Sequence, residues 1–161
     1  MLSKQNSRTR GQIDSLELAH SSGHLIKVAH RLFQQSLQAE LAPHGIKLSH
    51  WHCLRYLWEE DGLTQKELSK RVFIKESTTV AVLAEMEQTG LIRRVRSRDD
   101  RRKYAVCLTA KAKRITKQLL PVAKKVNEQG ATGLTKKEIK LYHAITQHII
   151  TNLAGSIPED I

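Results

Sequence analysis

Between two stop signals, Asp61-Gly62 and Gly90, the sequence leaves room for only two short helices, and directly after Gly90 the apolar period switches from helical to alternating. Thr64-Gln65-Lys66-Glu67 reads as a capping box, in which the threonine oxygen accepts from the backbone N–H three residues on and the glutamate reaches back. A helix therefore starts there, with Leu68 and Val72 inward. The next helix covers 75–88. Turning about 100° per residue from Thr79 puts Val82, Leu83 and Met86 within roughly 60° of it, so these residues form a buried stripe. Ser77, Val80, Ala81, Ala84 and Gln88 fall opposite. That outer face has no acid and no bulky side chain at its centre, so it can approach another surface closely. Residues 91–96 and 104–108 read as two short strands joined by 97–103, with Val106 and Leu108 alternating around Cys107.

Longer helices flank this unit. Residues 14–42 carry Leu18, Leu25, Ala29 and Leu32 at three-and-four spacing and close at Pro43-His44-Gly45; residues 48–60 put Trp51, Leu54, Leu57 and Trp58 on one side. After the hairpin, 109–129 has the stripe Ile115, Leu119, Val122 and Val126, with Pro121 as a possible kink, and 134–153 has Tyr142, Ile145, Ile149 and Leu153 on one face. The fold expected is mainly α with a small β-hairpin wing: a winged helix-turn-helix domain over 46–110, and a helical dimerisation region made from 1–45 and 111–161. Terminal apolar stripes need burial, and a second copy of the chain is the simplest source of a matching surface.

Charge sharpens the reading. The chain of 161 residues has a formal net charge of +11, and nearly all of it lies between Leu91 and Lys117, where eleven basic residues face two acids, Asp99 and Asp100. Like charges crowded onto a hairpin repel one another unless an anion neutralises them, which points to a polyanionic partner. Arg98, Arg101, Arg102 and Lys103 on the projecting loop suit phosphates or a narrow A·T-rich minor groove, and Arg93, Arg94 and Arg96 can flank the backbone. On the helix before it, Ser77 and Thr78 can hydrogen-bond phosphates or base edges, while the methyls of Val80 and Ala81 suit thymine C5-methyl groups. The duplex target expected is A·T-rich and read partly through shape.

Several classes drop out. No run approaches the roughly 18 apolar residues of a membrane helix, and Met1 to Gly11 is polar and basic without an apolar signal core, which predicts a cytoplasmic protein. Cys53 and Cys107 make neither a disulfide framework nor a four-thiolate zinc site. A zinc-protease histidine pair, a nucleophile elbow and a phosphate-cradling glycine loop are all missing, so neither an enzyme nor a cofactor is expected.

Leu63-Thr64-Gln65-Lys66-Glu67-Leu68, then Ile74-Lys75-Glu76-Ser77-Thr78-Thr79, then Met86-Glu87-Gln88-Thr89-Gly90-Leu91-Ile92, and Asp100-Arg101-Arg102 with Val106-Cys107-Leu108-Thr109, resemble in order and spacing the MarR family of bacterial winged-helix transcription regulators. The resemblance implies a homodimer joined by its first, fifth and sixth helices, bound to a pseudo-palindromic operator of double-stranded DNA and released by a small molecule. It makes Lys75 to Ala84 the recognition helix. It also makes Asp100 and Arg102 the wing motif, the arginine entering the minor groove and the aspartate orienting it. Lys75, Glu76, Ser77, Thr78, Val80, Ala81, Arg94, Arg98, Asp100, Arg101, Arg102 and Lys103 are thus the candidate DNA-binding residues. Two positions depart from the family: Ala81 stands where many members have arginine, and Phe73 where the turn is commonly glycine.

For an effector, His20, His24, Trp51 and Arg55 are the candidate residues, suited to an organic anion such as an aromatic carboxylate. His20 and His24, at i and i+4 of one predicted helix, also raise a zinc-responsive alternative, although no acid or cysteine joins them nearby in sequence. A redox-responsive alternative rests on the cysteines, which read as buried structural thiols. The remaining rival is a sequence-nonspecific nucleic-acid module, against which stand only seven aromatic residues, mostly on core stripes.

Overall fold

The computed structural model describes residues 18–96 and 104–156. Six helices and a small sheet follow one another: α1 (Ser22–Leu41), α2 (Leu48–Glu59), β1 (Leu63–Thr64), α3 (Gln65–Val72), α4 (Glu76–Gln88), β2 (Ile92–Arg96), β3 (Tyr104–Leu108), α5 (Ala110–Gly130) and α6 (Lys136–Ala154). The chain divides into two compact units, 1–126 and 127–161. The expected mainly-α winged helix-turn-helix is present in the first.

Its core is one cluster to which every element from α1 to the first half of α5 contributes. Leu41, Leu54, Leu57, Leu68, Leu83, Met86, Val106 and Leu119 are all essentially inaccessible to solvent. The sheet has the order β1-β3-β2 and is antiparallel throughout, with Leu63 opposite Val106, Ile92 opposite Leu108 and Arg96 opposite Tyr104. The hairpin strands lie where alternation placed them. β1 was not foreseen, because two residues are too few to show a period. It is fixed from outside: Gly62 N–H donates to Val106 O at 3.1 Å, and Leu108 N–H to Asp61 Oδ1 at 2.8 Å.

Helix ends follow local chemistry. Thr64 forms the expected capping box with Glu67, Thr64 Oγ1 accepting from Glu67 N and Glu67 Oε2 accepting from Thr64 N at 2.8 Å. Gly90, at φ +69°, ends α4 in the left-handed region that favours glycine, and Leu91 N–H then returns to Met86 O at 2.8 Å. The side chain of Thr109 caps α5 from outside, accepting from Ala112 N and donating to Gly90 O. Thr135 and Glu138 make a second capping box at the start of α6.

Three expectations need correction. The helix expected over 14–42 does not run unbroken through residues 18–21, and 14–17 lie outside the described residues. Leu18–His20 is a 3-10 turn, and α1 begins at Ser22 because the Ser21 hydroxyl caps it by accepting from His24 N. Trp58 does not share the buried side of α2 with Trp51, Leu54 and Leu57; it stands at the last turn and is 38% exposed. The apolar stripe of α5 is not left for a second chain as a whole, since Leu119 and Val126 are buried and Ile115 and Val122 are partly so. Ala112 and Thr116 are also fully buried, which makes the first half of α5 part of the core.

The 127–161 unit holds the end of α5 and α6. No residue of α6 is buried, and Leu141, Tyr142, Ile145, Ile150 and Leu153 are each at least half exposed. Ile149 is half-buried.

Candidate nucleic-acid interface

Helix α4 exists as an outward-facing rod because one stripe of it is anchored. Thr79, Leu83 and Met86 are fully buried and Val82 is partly so, the stripe that the helical wheel places inward. Thr79 carries the only polar group in that stripe, and its hydroxyl donates to Lys75 O at 3.2 Å, which satisfies it inside the helix. The opposite consequence is that Lys75, Glu76, Ser77, Thr78, Val80 and Ala81 are all exposed. Lys75 is the N-cap, so the free backbone N–H groups and the positive end of the helix dipole lie among these candidates. Gln65 on α3 reaches across to Glu76, Nε2 donating to Oε1 at 3.3 Å, and couples the two helices at this end.

A second anchor holds the far end of α4. Glu85 accepts from Lys47 and, at 3.2 Å, from Nε2 of the buried His50, both at the start of α2. These bonds, first Lys47 and then His50, hold the Glu85 carboxyl below its ordinary value. The start of α2 is itself tied to α1, where Gln38 Oε1 accepts from Leu48 N at 2.8 Å.

The turn between α3 and α4 departs from what a turn of this geometry favours. Phe73 closes α3 with φ +54° and ψ +41°, the one non-glycine residue among those described with a positive φ, and its side chain is 89% exposed. A left-handed backbone costs an L-residue roughly 1–2 kcal/mol, and a bulky aromatic is an unusual occupant. The hydrogen bonds still close the helix: Phe73 N–H donates to Lys70 O at 3.3 Å and Ile74 N–H to Ser69 O at 3.2 Å.

On the sheet, Arg93, Arg94 and Arg96 are exposed. Arg94 Nε lies 3.5 Å from Glu87 Oε2, and Arg96 Nε donates to Tyr104 Oη at 3.3 Å with its guanidinium 5.9 Å from that ring. Arg98, Asp100, Arg101, Arg102 and Lys103 lie outside the described residues. Between α3, the first turn of α4 and strands β2 and β3 is a cleft of about 570 Å³. Lys66, Lys70 and Arg94 supply its positive charge, Glu67 and Glu76 its negative charge, and Tyr104 and Val106 its apolar wall. Sequence reasoning did not single out Lys66, Lys70 or Tyr104, whose only signal is their spacing on short elements.

The effector candidates do not gather around that cleft. Trp51 is 3% exposed in the core, Arg55 is paired with Glu59 at 2.7 Å, and His20 lies in the turn before the cap of α1, so it does not share a helix face with His24. Among the described residues no group of three or more His, Cys, Asp or Glu side chains is placed to hold a metal ion, and no helix is long and apolar enough to cross a membrane. Cys53 is buried, and desolvation pushes its thiol up to about 11. Cys107 is half-buried in β3.

Residues 46–104 match the sequence profile of the MarR family. The chain is 31% identical over 113 residues to the HTH-type transcriptional regulator TtmR of Methylorubrum extorquens (strain PA1), a match covering 70% of this chain and 57% of that relative. The crystal structure of the transcriptional regulator PA3341 superposes with a TM-score of 0.76 at 28% identity, covering 83% of this chain and 98% of that one. The HTH-type transcriptional repressor Rv2887 of Mycobacterium tuberculosis (strain ATCC 25618 / H37Rv) is 26% identical over 70% of this chain and 81% of its own length. Its crystal structure, a complex with salicylic acid, covers 80% of this chain and 95% of that one with a TM-score of 0.67 at 23% identity.

Proposed function

We propose that this chain, whose residues 46–104 match the MarR family of winged-helix transcription regulators, acts as a homodimer on a pseudo-palindromic DNA operator, as a repressor released by a small organic anion. The observation that carries the reading is the division of α4: Thr79, Leu83 and Met86 locked into the core, with Lys75 to Thr78, Val80 and Ala81 left clear of it. A helix held this way presents its N-terminal turn to a major groove. Arg98, Arg101, Arg102 and Lys103 follow β2 in sequence, and they are assigned to the minor groove and its phosphates.

The dimer is assigned to the helices outside 46–110, where α1 leaves Leu25, Ile26, Val28 and Leu32 exposed and α6 leaves its apolar face uncovered. Two recognition helices on one side of a duplex require half-sites about 10 base pairs apart.

The release step is assigned to an aromatic carboxylate or a similar anion. The salicylic acid complex of Rv2887 supports that chemistry, and the cleft with Lys66, Lys70 and Arg94 offers charges that would receive it. A ligand need shift the DNA-binding equilibrium by only about 1–3 kcal/mol for roughly 5- to 150-fold release.

The test is a titration of the full chain with a duplex enriched from its own genome against a scrambled duplex at physiological salt. An affinity ratio of about 10³ or more is expected for a specific regulator. A ratio near one would favour the sequence-nonspecific module instead.

A further inference from the structure

Phe73 is the side chain that the fold does least to explain. It occupies a backbone conformation that suits glycine, so replacing it would relieve strain, and at 89% exposure its ring contributes almost nothing to the core. Strained backbone of this kind clusters at functional sites, so the outlier at Phe73, rather than its exposure alone, points to a contact outside the chain.

Its position says what that contact is. Phe73 is two residues before Lys75, the N-cap of α4, so it stands beside the turn assigned to the major groove. Lys66, Lys70 and Lys75 outnumber Glu67 and Glu76 among the exposed residues from 66 to 76, so this is a net cationic stretch, and Phe73 with the neighbouring Ile74 projects apolar surface from it. A phosphate-lined groove offers such a projection two apolar partners: the C5-methyl of thymine and the carbon face of the adjoining deoxyribose.

Building on the regulator reading above, we infer that Phe73 is a DNA-contacting residue of this chain, its ring packing on the apolar edge of the duplex at the mouth of the groove that receives α4. The left-handed turn aims the ring outward, and the strain is retained in the fold because the bound state uses it.

The experiment compares wild-type, F73G and F73A on the duplex that the wild-type protein enriches from a random-sequence library. Glycine relieves the backbone strain whereas alanine retains most of it, and both remove the ring. F73G should unfold about 2–4 °C higher than wild-type, so its loss of binding cannot come from a damaged fold. Both variants should bind about 5- to 30-fold more weakly, with the salt dependence of affinity unchanged, because an apolar contact releases no counterions. A duplex with deoxyuridine in place of thymine identifies the edge when wild-type and F73A are compared: the ring meets the methyl if the change weakens wild-type more than F73A, and the sugar if both change equally. Equal binding by all three proteins overturns the inference, as does weakening by F73G alone, which would report backbone flexibility. Failure of the wild-type protein to enrich any duplex would instead sink the regulator reading on which the inference stands.

Discussion

The buried imidazole of His50 donates through Nε2 to Glu85 Oε2 at 3.2 Å, joining the start of α2 to α4 across 35 positions of sequence. Lys47 donates to the other oxygen of the same carboxylate. One side chain of α4 therefore carries two bonds to the segment that follows α1, and both are stronger with the carboxylate charged.

That dependence sets a pH limit. Glu85 titrates below its ordinary value of 4.5, held there first by Lys47 and then by His50. A depressed carboxyl contributes stability that is fully present above the unfolded value and is lost as pH falls through the folded one. The urea midpoint should thus lose a component as pH drops below about 4.5, and Glu85→Gln should remove that component from the acid limb. An identical acid limb in Glu85→Gln would mean that the bonds do not contribute.

Arg102→Ala tests the wing. Residue 102 is assigned to the minor groove, so its loss should weaken operator binding by roughly 1–3 kcal/mol. The wild-type slope of log affinity against log salt should lie near −9 if each protomer neutralises about five phosphates. Filter binding or anisotropy at four salt concentrations measures both quantities. A slope shallower than about −4 would remove the basic patch from the mechanism.

Ile145→Asp tests the dimer. Ile145 is 52% exposed on α6, beside Leu141 and Tyr142. Burying an unpaired carboxylate in an apolar interface costs several kcal/mol, so sedimentation at micromolar concentration should show wild-type dimer and mutant monomer. A dimeric mutant would place the interface elsewhere.

Cys53 tests the redox-responsive alternative. With its thiol pushed up to about 11 and no exposed surface, it has almost no thiolate at neutral pH. Iodoacetamide at pH 8 should leave Cys53 unmodified in the folded protein and alkylate it in urea, as peptide mass spectrometry would show. Rapid native modification would restore Cys53 as a candidate sensor.

Local features were legible before the fold. The wheel around Thr79 separated the buried and exposed faces of α4, because helical period depends on nothing beyond neighbouring residues. The capping box at Thr64 and the stop at Gly90 were equally readable, being bonds made within a few positions. Contacts made at long range were not. His50 is buried against Glu85, a partner 35 positions away, and the first half of α5 read as a spare apolar stripe, yet it completes the core. Ser21 interrupted a helix whose apolar spacing continued straight through it, since a hydroxyl competing for a backbone N–H leaves no trace in periodicity.

Sequence alone determined the order of the six helices and the hairpin between the fourth and fifth, the inner and outer faces of α4 and the concentration of positive charge after Gly90, because each follows from residue type and near-neighbour geometry. Only the tertiary structure decided that Asp61 and Gly62 bring β1 onto β3, that Glu85 is held from α2, and that Phe73 stands in a left-handed turn with its ring in solvent. Those outcomes depend on which distant segments meet when the core closes, and distance along a chain carries no record of distance in space.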